Sequence, residues 1–323
     1  MKKLLQKAIL GLGVAAIVVA CSEADGTNQQ VNGAEETSQN EVVEIQNGDH
    51  TLTISEVPTR AVTLNQHVTE VMLALGLEDH MVGTAYLDDD VLPEWKEAYE
   101  SIPVLAERSP SQEVFLDIEP DFAYAGWGSA FNEEGIGTIE QLQSFGINAY
   151  LHQSSTIVGP TLEDIYDDIR NIAKIFNVRD RGEALISELD DDIEQVKKRI
   201  PSDQSESRVF VYDSGDTAPF TVGQNFLNQI ITMAGAANIF SDVDKNWAEV
   251  SWEEVVERDP EVIIIVDYGE TTAELKRHQL LIHPALTDVT AIKEENFIVL
   301  PLSSAAEGVR VAKALEIVVE GLY

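Results

Sequence analysis

DRGEALISELDDDIEQVKKR, residues 180–199, decides how the rest of the chain is read. Asp180 followed by Glu183 has the form of a capping box, in which each side chain satisfies a free N–H of the first turn. Apolar residues recur at Leu185, Leu189, Ile193, Val196 and Ile200, the spacing of one helical face. Lys197, Lys198 and Arg199 complement the negative end of the helix dipole, and Pro201 stops the helix. A helix of about 20 residues spans about 30 Å, the width of a small domain. It stands between two halves that each alternate strand and helix. We read it as a rigid strut joining two α/β lobes, against the plainer reading of a crossover helix inside one domain.

Upstream of the strut, residues 60–64 (RAVTL) make a short strand. The helix after it buries Val68, Val71, Met72 and Leu75 and ends at Gly76. Strands follow at 81–86, 121–125 and 147–151, with helices at 112–117, 137–145 and 161–176. Downstream, 208–212 is a strand, 224–234 a helix, EVIIIV (261–266) a fully apolar strand, 297–300 the last strand and 307–322 a closing helix. Strands alternating with helices imply parallel sheets covered on both faces, two Rossmann-like lobes.

The halves also repeat a motif. Ser111-x-Glu113, six residues, Pro120-Asp121 and an apolar strand is matched by Ser251-x-Glu253, six residues, Pro260-Glu261 and an apolar strand. A glycine follows each, Gly126 and Gly269. The repeat places Glu113 and Glu253 at equivalent positions, one per lobe.

The chain opens as a secretion signal: Lys2, Lys3 and Lys7, then an apolar core over 9–19, too short to span a bilayer comfortably. Ala20 precedes Cys21, the only cysteine of the 323 residues, and the arrangement resembles a bacterial lipoprotein signal. That implies cleavage before Cys21 and lipidation of its sulfur; an unlipidated signal peptide is the alternative. A single cysteine leaves no internal disulfide. Polar residues from 22 to 48 suit a flexible tether. The expected organisation is therefore signal 1–21, tether 22–48, N-terminal α/β lobe 49–158, connecting helices 159–201 and C-terminal α/β lobe 202–323. The formal charge of −36 disfavours nucleic acid and anionic lipid surfaces as partners.

The signal, VPTRAVTLNQHVTEVMLALGL (57–77), SQEVFLDIEPDFAYAGW (111–127), the connecting helix, PFTVGQNFLNQIITMAGAANIF (219–240) and WAEVSWEEVVERDPEVIII (247–265) resemble the substrate-binding components of ABC importers. The type is the one with a single helix between its lobes, the class III periplasmic-binding-protein-like fold, which carries iron-siderophores, haem and cobalamin. The resemblance runs from about residue 58 to the end. It implies a lipid-anchored, extracytoplasmic, monomeric receptor that delivers a small molecule to an ABC permease dimer. It also implies that one glutamate per lobe docks onto permease arginines, and the matching positions are Glu113 and Glu253.

In open parallel sheets ligands bind beyond the carboxyl ends of the strands. Those ends carry Asn65, Gln66, His67, Tyr86, Trp127, His152 and Gln153 in the first half, and Tyr212, Asp213, Phe220, Tyr268, Ser303 and Ser304 in the second. Trp247 and Arg310 lie near them. Aromatic faces suit a large flat or catechol-bearing ligand. Poverty in arginine and lysine argues against a citrate-like anion and leaves ferric catecholates, ferric hydroxamates, corrinoids and haem open. The expected cargo is a ferric siderophore, with a corrinoid or haem as the alternative and a surface adhesin or sensor as the rival from another class. No catalytic motif, cofactor motif or metal-ligating cluster stands out: Gly-x-Ser-x-Gly, the P-loop and His-Glu-x-x-His are absent, and the six histidines are scattered. No enzymatic activity is expected.

Overall fold

The computed structural model describes residues 42–203 and 205–323. The expected signal, Cys21 and the tether up to residue 41 lie outside the described residues. The expected tether runs too far. Val43–Asn47 is a strand, β1, paired antiparallel with β2, His50–Ile54. Val43, Ile45 and Asn47 are buried while Glu44 and Gln46 are exposed, a period of two that a count of apolar residues does not register.

The first sheet is built from β3 (Ala61–Leu64), α1 (Gln66–Ala74), β4 (Met81–Ala85), α2 (Lys96–Glu100), β5 (Val104–Ala106), α3 (Gln112–Asp117), β6 (Phe122–Ala125), α4 (Ile139–Ser144) and β7 (Asn148–Leu151). Its strands are parallel in the order β5-β4-β3-β6-β7. The chain winds outward from β3 on one side, then crosses over to β6. The switch point therefore falls between β3 and β6, the position from which such sheets bind ligands.

Two helices follow, α5 (Leu162–Ile175) and α6 (Arg179–Lys197). The second sheet comprises β8 (Arg208–Tyr212), α7 (Phe226–Met233), β10 (Ala237–Asn238), α8 (Trp252–Arg258), β12 (Val262–Asp267), α9 (Ala273–Ile282), α10 (Thr290–Lys293), β13 (Phe297–Pro301), α11 (Leu302–Ala305) and α12 (Val311–Leu322). Its parallel order is β10-β8-β12-β13, with the switch point between β8 and β12. A separate antiparallel ribbon pairs β9 (Phe220–Val222) with β11 (Trp247–Glu249). The sequence reading contains neither that ribbon nor β10, because strands of two or three residues carry no periodicity. The closing helix starts at Val311 rather than at residue 307.

The strut is α6, whose 19 residues span about 28 Å. The expected capping box is not formed. The helix begins at Arg179, its N-cap is Val178, and no side chain caps it, so Asp180 lies inside the first turn. Asn177, at φ 57°, turns the chain sharply out of α5 and sets this start. Ile186, Leu189, Ile193 and Val196 are buried, while Leu185 and Ile200 are only partly so. Arg199 pairs with Glu316 and Glu320 on α12, and Arg181 Nη1 donates to the Leu75 and Gly76 carbonyls that end α1. The strut is thus fastened to both lobes, and one apolar core runs from Val71 and Ile172 through Leu189 and Ile193 to Ile230 and Leu315.

The sequence repeat is a structural repeat. Ser111 Oγ caps α3 by accepting from Val114 N, and Ser251 Oγ caps α8 by accepting from Glu254 N. Asp121 accepts the N–H of Arg60, and Glu261 that of Arg208. Arg60 Nε donates to the Glu119 carbonyl and Arg208 Nε to that of Asp259, at 2.7 and 2.9 Å. Glu119 and Asp259 each turn with positive φ, 48° and 39°. Each lobe enters its sheet through the same arginine–carboxylate knot.

Candidate functional site

At the first switch point Asn65, at φ 91°, closes β3 and turns its side chain back across the strand ends. Its Oδ1 accepts from the backbone N of Gly126 and of Trp127, which ties the ends of β3 and β6 together. Gly126 is required there, because a Cβ would stand 2.2 Å from the His67 ring. His67 is buried beneath Trp127, with ring centres 5.1 Å apart, and Tyr86 meets the same indole edge-on at 6.3 Å. Trp127 and Tyr86 are half-buried and form the wall of the first lobe.

The second lobe answers with Tyr268, after β12, and with the ribbon. Tyr268 OH donates to Asp213 Oδ2 at 2.8 Å, a bond across the β8–β12 switch point. Lys276 Nζ stands 4.3 Å from the centre of the Tyr268 ring and donates to the Val266 carbonyl. Burial, then the Asp213 charge, raise the Tyr268 phenol, so it stays protonated. Phe220 and Trp247 stack nearly parallel, 9° between planes and 5.6 Å between centres.

These walls enclose two adjoining cavities of about 560 and 420 Å³ that share Tyr86, Asp88 and Tyr268. Tyr212 floors the first, and burial pushes its phenol up to about 12. Trp127, Phe220 and Trp247 line the second. Carboxylates outnumber cations around this space: Asp88, Glu107, Asp213, Asp216, Glu270 and Glu307 face Arg108 and Lys276. Burial raises the carboxyl of Asp88, and it pushes that of Glu307 up to about 7.

Seven of the expected ligand residues therefore line the cavities: Tyr86, Trp127, Tyr212, Asp213, Phe220, Trp247 and Tyr268. The other eight line neither: Gln153 is half-buried, and Asn65, Gln66, His67, His152, Ser303, Ser304 and Arg310 are buried, with His67 Nε2 and His152 Nε2 lacking a hydrogen-bond partner. Asn65 holds strand ends. Gln66 Oε1 accepts from Asp88 N and Asp89 N. His67 supports Trp127. His152 Nδ1 stands 2.7 Å from Tyr124 OH and its Nε2 3.5 Å from Asp168. Ser303 and Arg310 join a network with Glu70 and Asp89. His67 and His152 are neutral imidazoles, since burial lowers both. Strand ends mark the right region, but they do not separate residues facing the opening from residues pressed into the lobe contact. Asp88, Arg108, Lys276 and Glu307 were missed. Asp88 sits in an acidic run that reads as a solvated face, and the others lie outside the strand ends.

Glu113 and Glu253 are exposed, each the second residue of its serine-capped helix. Cys21 lies outside the described residues.

The sequence profile of the family described as periplasmic binding protein matches residues 62–303. An uncharacterized ABC transporter substrate-binding lipoprotein, YvrC of Bacillus subtilis, is 23% identical over 84% of this chain and 82% of its own length. The vitamin B12-binding protein of Pectobacterium atrosepticum is 28% identical over 75% of this chain and 82% of its own. A crystal structure of a periplasmic binding protein from Veillonella parvula superposes with a TM-score of 0.80 at 32% identity, covering 87% of this chain and 97% of that one. With two parallel-sheet lobes on one helical strut and a cleft at their switch points, the chain belongs to the periplasmic binding protein family, as a substrate-binding protein of an ABC transporter.

Proposed function

We propose that this chain is an extracytoplasmic, lipid-anchored monomeric receptor that captures a large metal chelate of little net charge and hands it to an ABC permease. The cargo is a ferric siderophore of the hydroxamate type or a corrinoid. The carrying observation is the cleft itself, with aromatic walls from both lobes set among carboxylates. Aromatic faces stack on a large flat or macrocyclic ligand with about 0.5–1.5 kcal/mol per pair beyond burial. A ferric catecholate or a haem brings its own negative charge and needs cations to meet it. Of the two cations at the cleft, Lys276 already donates to the Val266 carbonyl and lies against the Tyr268 ring. The resemblance to a vitamin B12-binding protein favours the corrinoid. The contacts are Tyr86, Trp127, Tyr212, Phe220, Trp247 and Tyr268.

Glu113 and Glu253 are the permease-docking pair. Their exposure at equivalent places in the structural repeat supports this, because two separated carboxylates orient a complex against two arginines. Cys21 is the anchor, a reading supported by the residues before it and by the lipoprotein relative. Tryptophan-fluorescence titration with cyanocobalamin, a neutral ferric trihydroxamate, haem and a ferric catecholate tests the cargo. Quenching by one of the first two is expected. Tight binding confined to haem or the catecholate would remove the proposal.

A further inference from the structure

Residues 303–310, SSAAEGVR, the end of α11 and the turn that leads into α12, are all buried. They press into the first lobe at the start of α1. A Cβ on Gly308 would stand 2.9 Å from that of His67, so the turn lies against the start of α1 and only glycine fits. Arg310 forms a bidentate pair with Glu70 of α1: Nε donates to Oε2 at 2.7 Å and Nη2 to Oε1. Both side chains are buried, Glu70 at 0% and Arg310 at 7% exposure. Arg310 also donates to Ser303 Oγ and, at 2.7 Å, to the Asp90 carbonyl of the first lobe.

The same network grips a cleft wall. Gln66 donates to Glu70 and to the Asp90 carbonyl, and accepts from the amides of Asp88 and Asp89. Ser303 of the second lobe donates to Asp89 Oδ2. Residues 88–90 are thus held from both lobes at once, beside Tyr86 and Asp88, which line the cleft. A buried ion pair adds little net stability over an apolar pair of the same shape, but its geometry admits one register. Arginine suits the place because its planar fork meets a carboxylate and a carbonyl together.

We infer that Arg310 and Glu70 form the joint that fixes the angle between the lobes and holds the Tyr86–Asp88 wall in place. Arg310 is a positioning residue, and the strut alone does not set the cleft. The inference does not depend on which ligand is carried.

The test needs no ligand. Cys21→Ser removes the only native thiol, and Asp117→Cys with Glu257→Cys, exposed and equivalent in the repeat, carry nitroxides on the two lobes. Inter-label distances and amide exchange are compared in the full chain as it stands, in Arg310→Lys, in Glu70→Gln, and in Glu70→Leu combined with Arg310→Met. The paired apolar replacement is the one expected to fold well. In each variant the distance distribution should broaden and the Asp88 and Asp89 amides exchange about tenfold faster, while amides of β6 and β12 keep their protection. A folded paired variant with unchanged distances and unchanged exchange at Asp88 and Asp89 would overturn the inference. Uniformly faster exchange with unchanged distances would also overturn it, by showing a merely stabilising role.

Discussion

The cleft wall and the joint beside it lie next to each other, yet they use opposite chemistry: rings at strand ends and on the ribbon in one, a helix-borne charge pair in the other. The wall exposes rings, with Trp127, Tyr86, Phe220 and Trp247 partly open to solvent. The joint buries charge, pairing Glu70 and Arg310 across 240 residues of sequence. The difference teaches that position at a switch point brings a residue to the site, while burial and hydrogen-bond satisfaction decide whether it is free for a ligand.

Breaking the joint should have the largest effect. Arg310→Met leaves the Glu70 charge buried with only the Gln66 amide beside it and no cation, and should cost about 3–5 kcal/mol in denaturant unfolding, most of it recovered when Glu70→Leu is added. A loss under about 1 kcal/mol would show that water already reaches the pair.

Next in size is a pH effect at the same lobe contact. Burial holds the Glu307 carboxyl at about 7 in the fold against 4.5 as the reference value. Between those values the folded chain keeps a proton that the unfolded chain releases. Its contribution is complete below about 4.5 and is lost as pH rises through about 7, on the order of 3 kcal/mol. His67 and His152 act oppositely: burial lowers both, so they cost stability as pH falls below the ordinary histidine range. The readout is therefore the difference between wild type and Glu307→Gln, which should gain relative stability from pH 5 to 8, a window of about three units. Parallel curves would mean that Glu307 ionises freely.

The wall should respond in binding rather than stability. Trp247→Ala removes half of the Phe220–Trp247 stack and should weaken ligand binding about tenfold to a hundredfold, with unfolding changed by about 1 kcal/mol or less. The smallest effect on the isolated protein is expected at Glu113→Ala and Glu253→Ala. Each should shift stability by no more than about 0.5 kcal/mol and leave affinity intact, while uptake through the permease falls. Loss of affinity in either would move these residues from docking to binding.

The fold was largely legible. Residues 112–117 and 208–212 are helix and strand as read, because serine caps and β-branched runs are local signals. The Ser-x-Glu repeat pointed to twin lobes, and its arginine knots show why the pattern recurs. The site was half legible. Its aromatics stand at strand ends and could be named, apart from the ribbon that aligns Phe220 with Trp247. The joint was not. Glu70 lies in a helix buried on all sides from Gln66 to Leu73, where a charge demands a distant partner that no spacing identifies.

The twin sheets face one another across an aromatic cleft, which is proposed to take a large chelate of little charge. Native mass spectrometry of the intact protein mixed with equal amounts of cyanocobalamin, a neutral ferric trihydroxamate and haem tests it most directly. A single one-to-one adduct with one of the first two, reduced about tenfold or more in Trp127→Ala and Trp247→Ala, is the predicted result. An adduct with haem alone, or one undiminished by both substitutions, would contradict it.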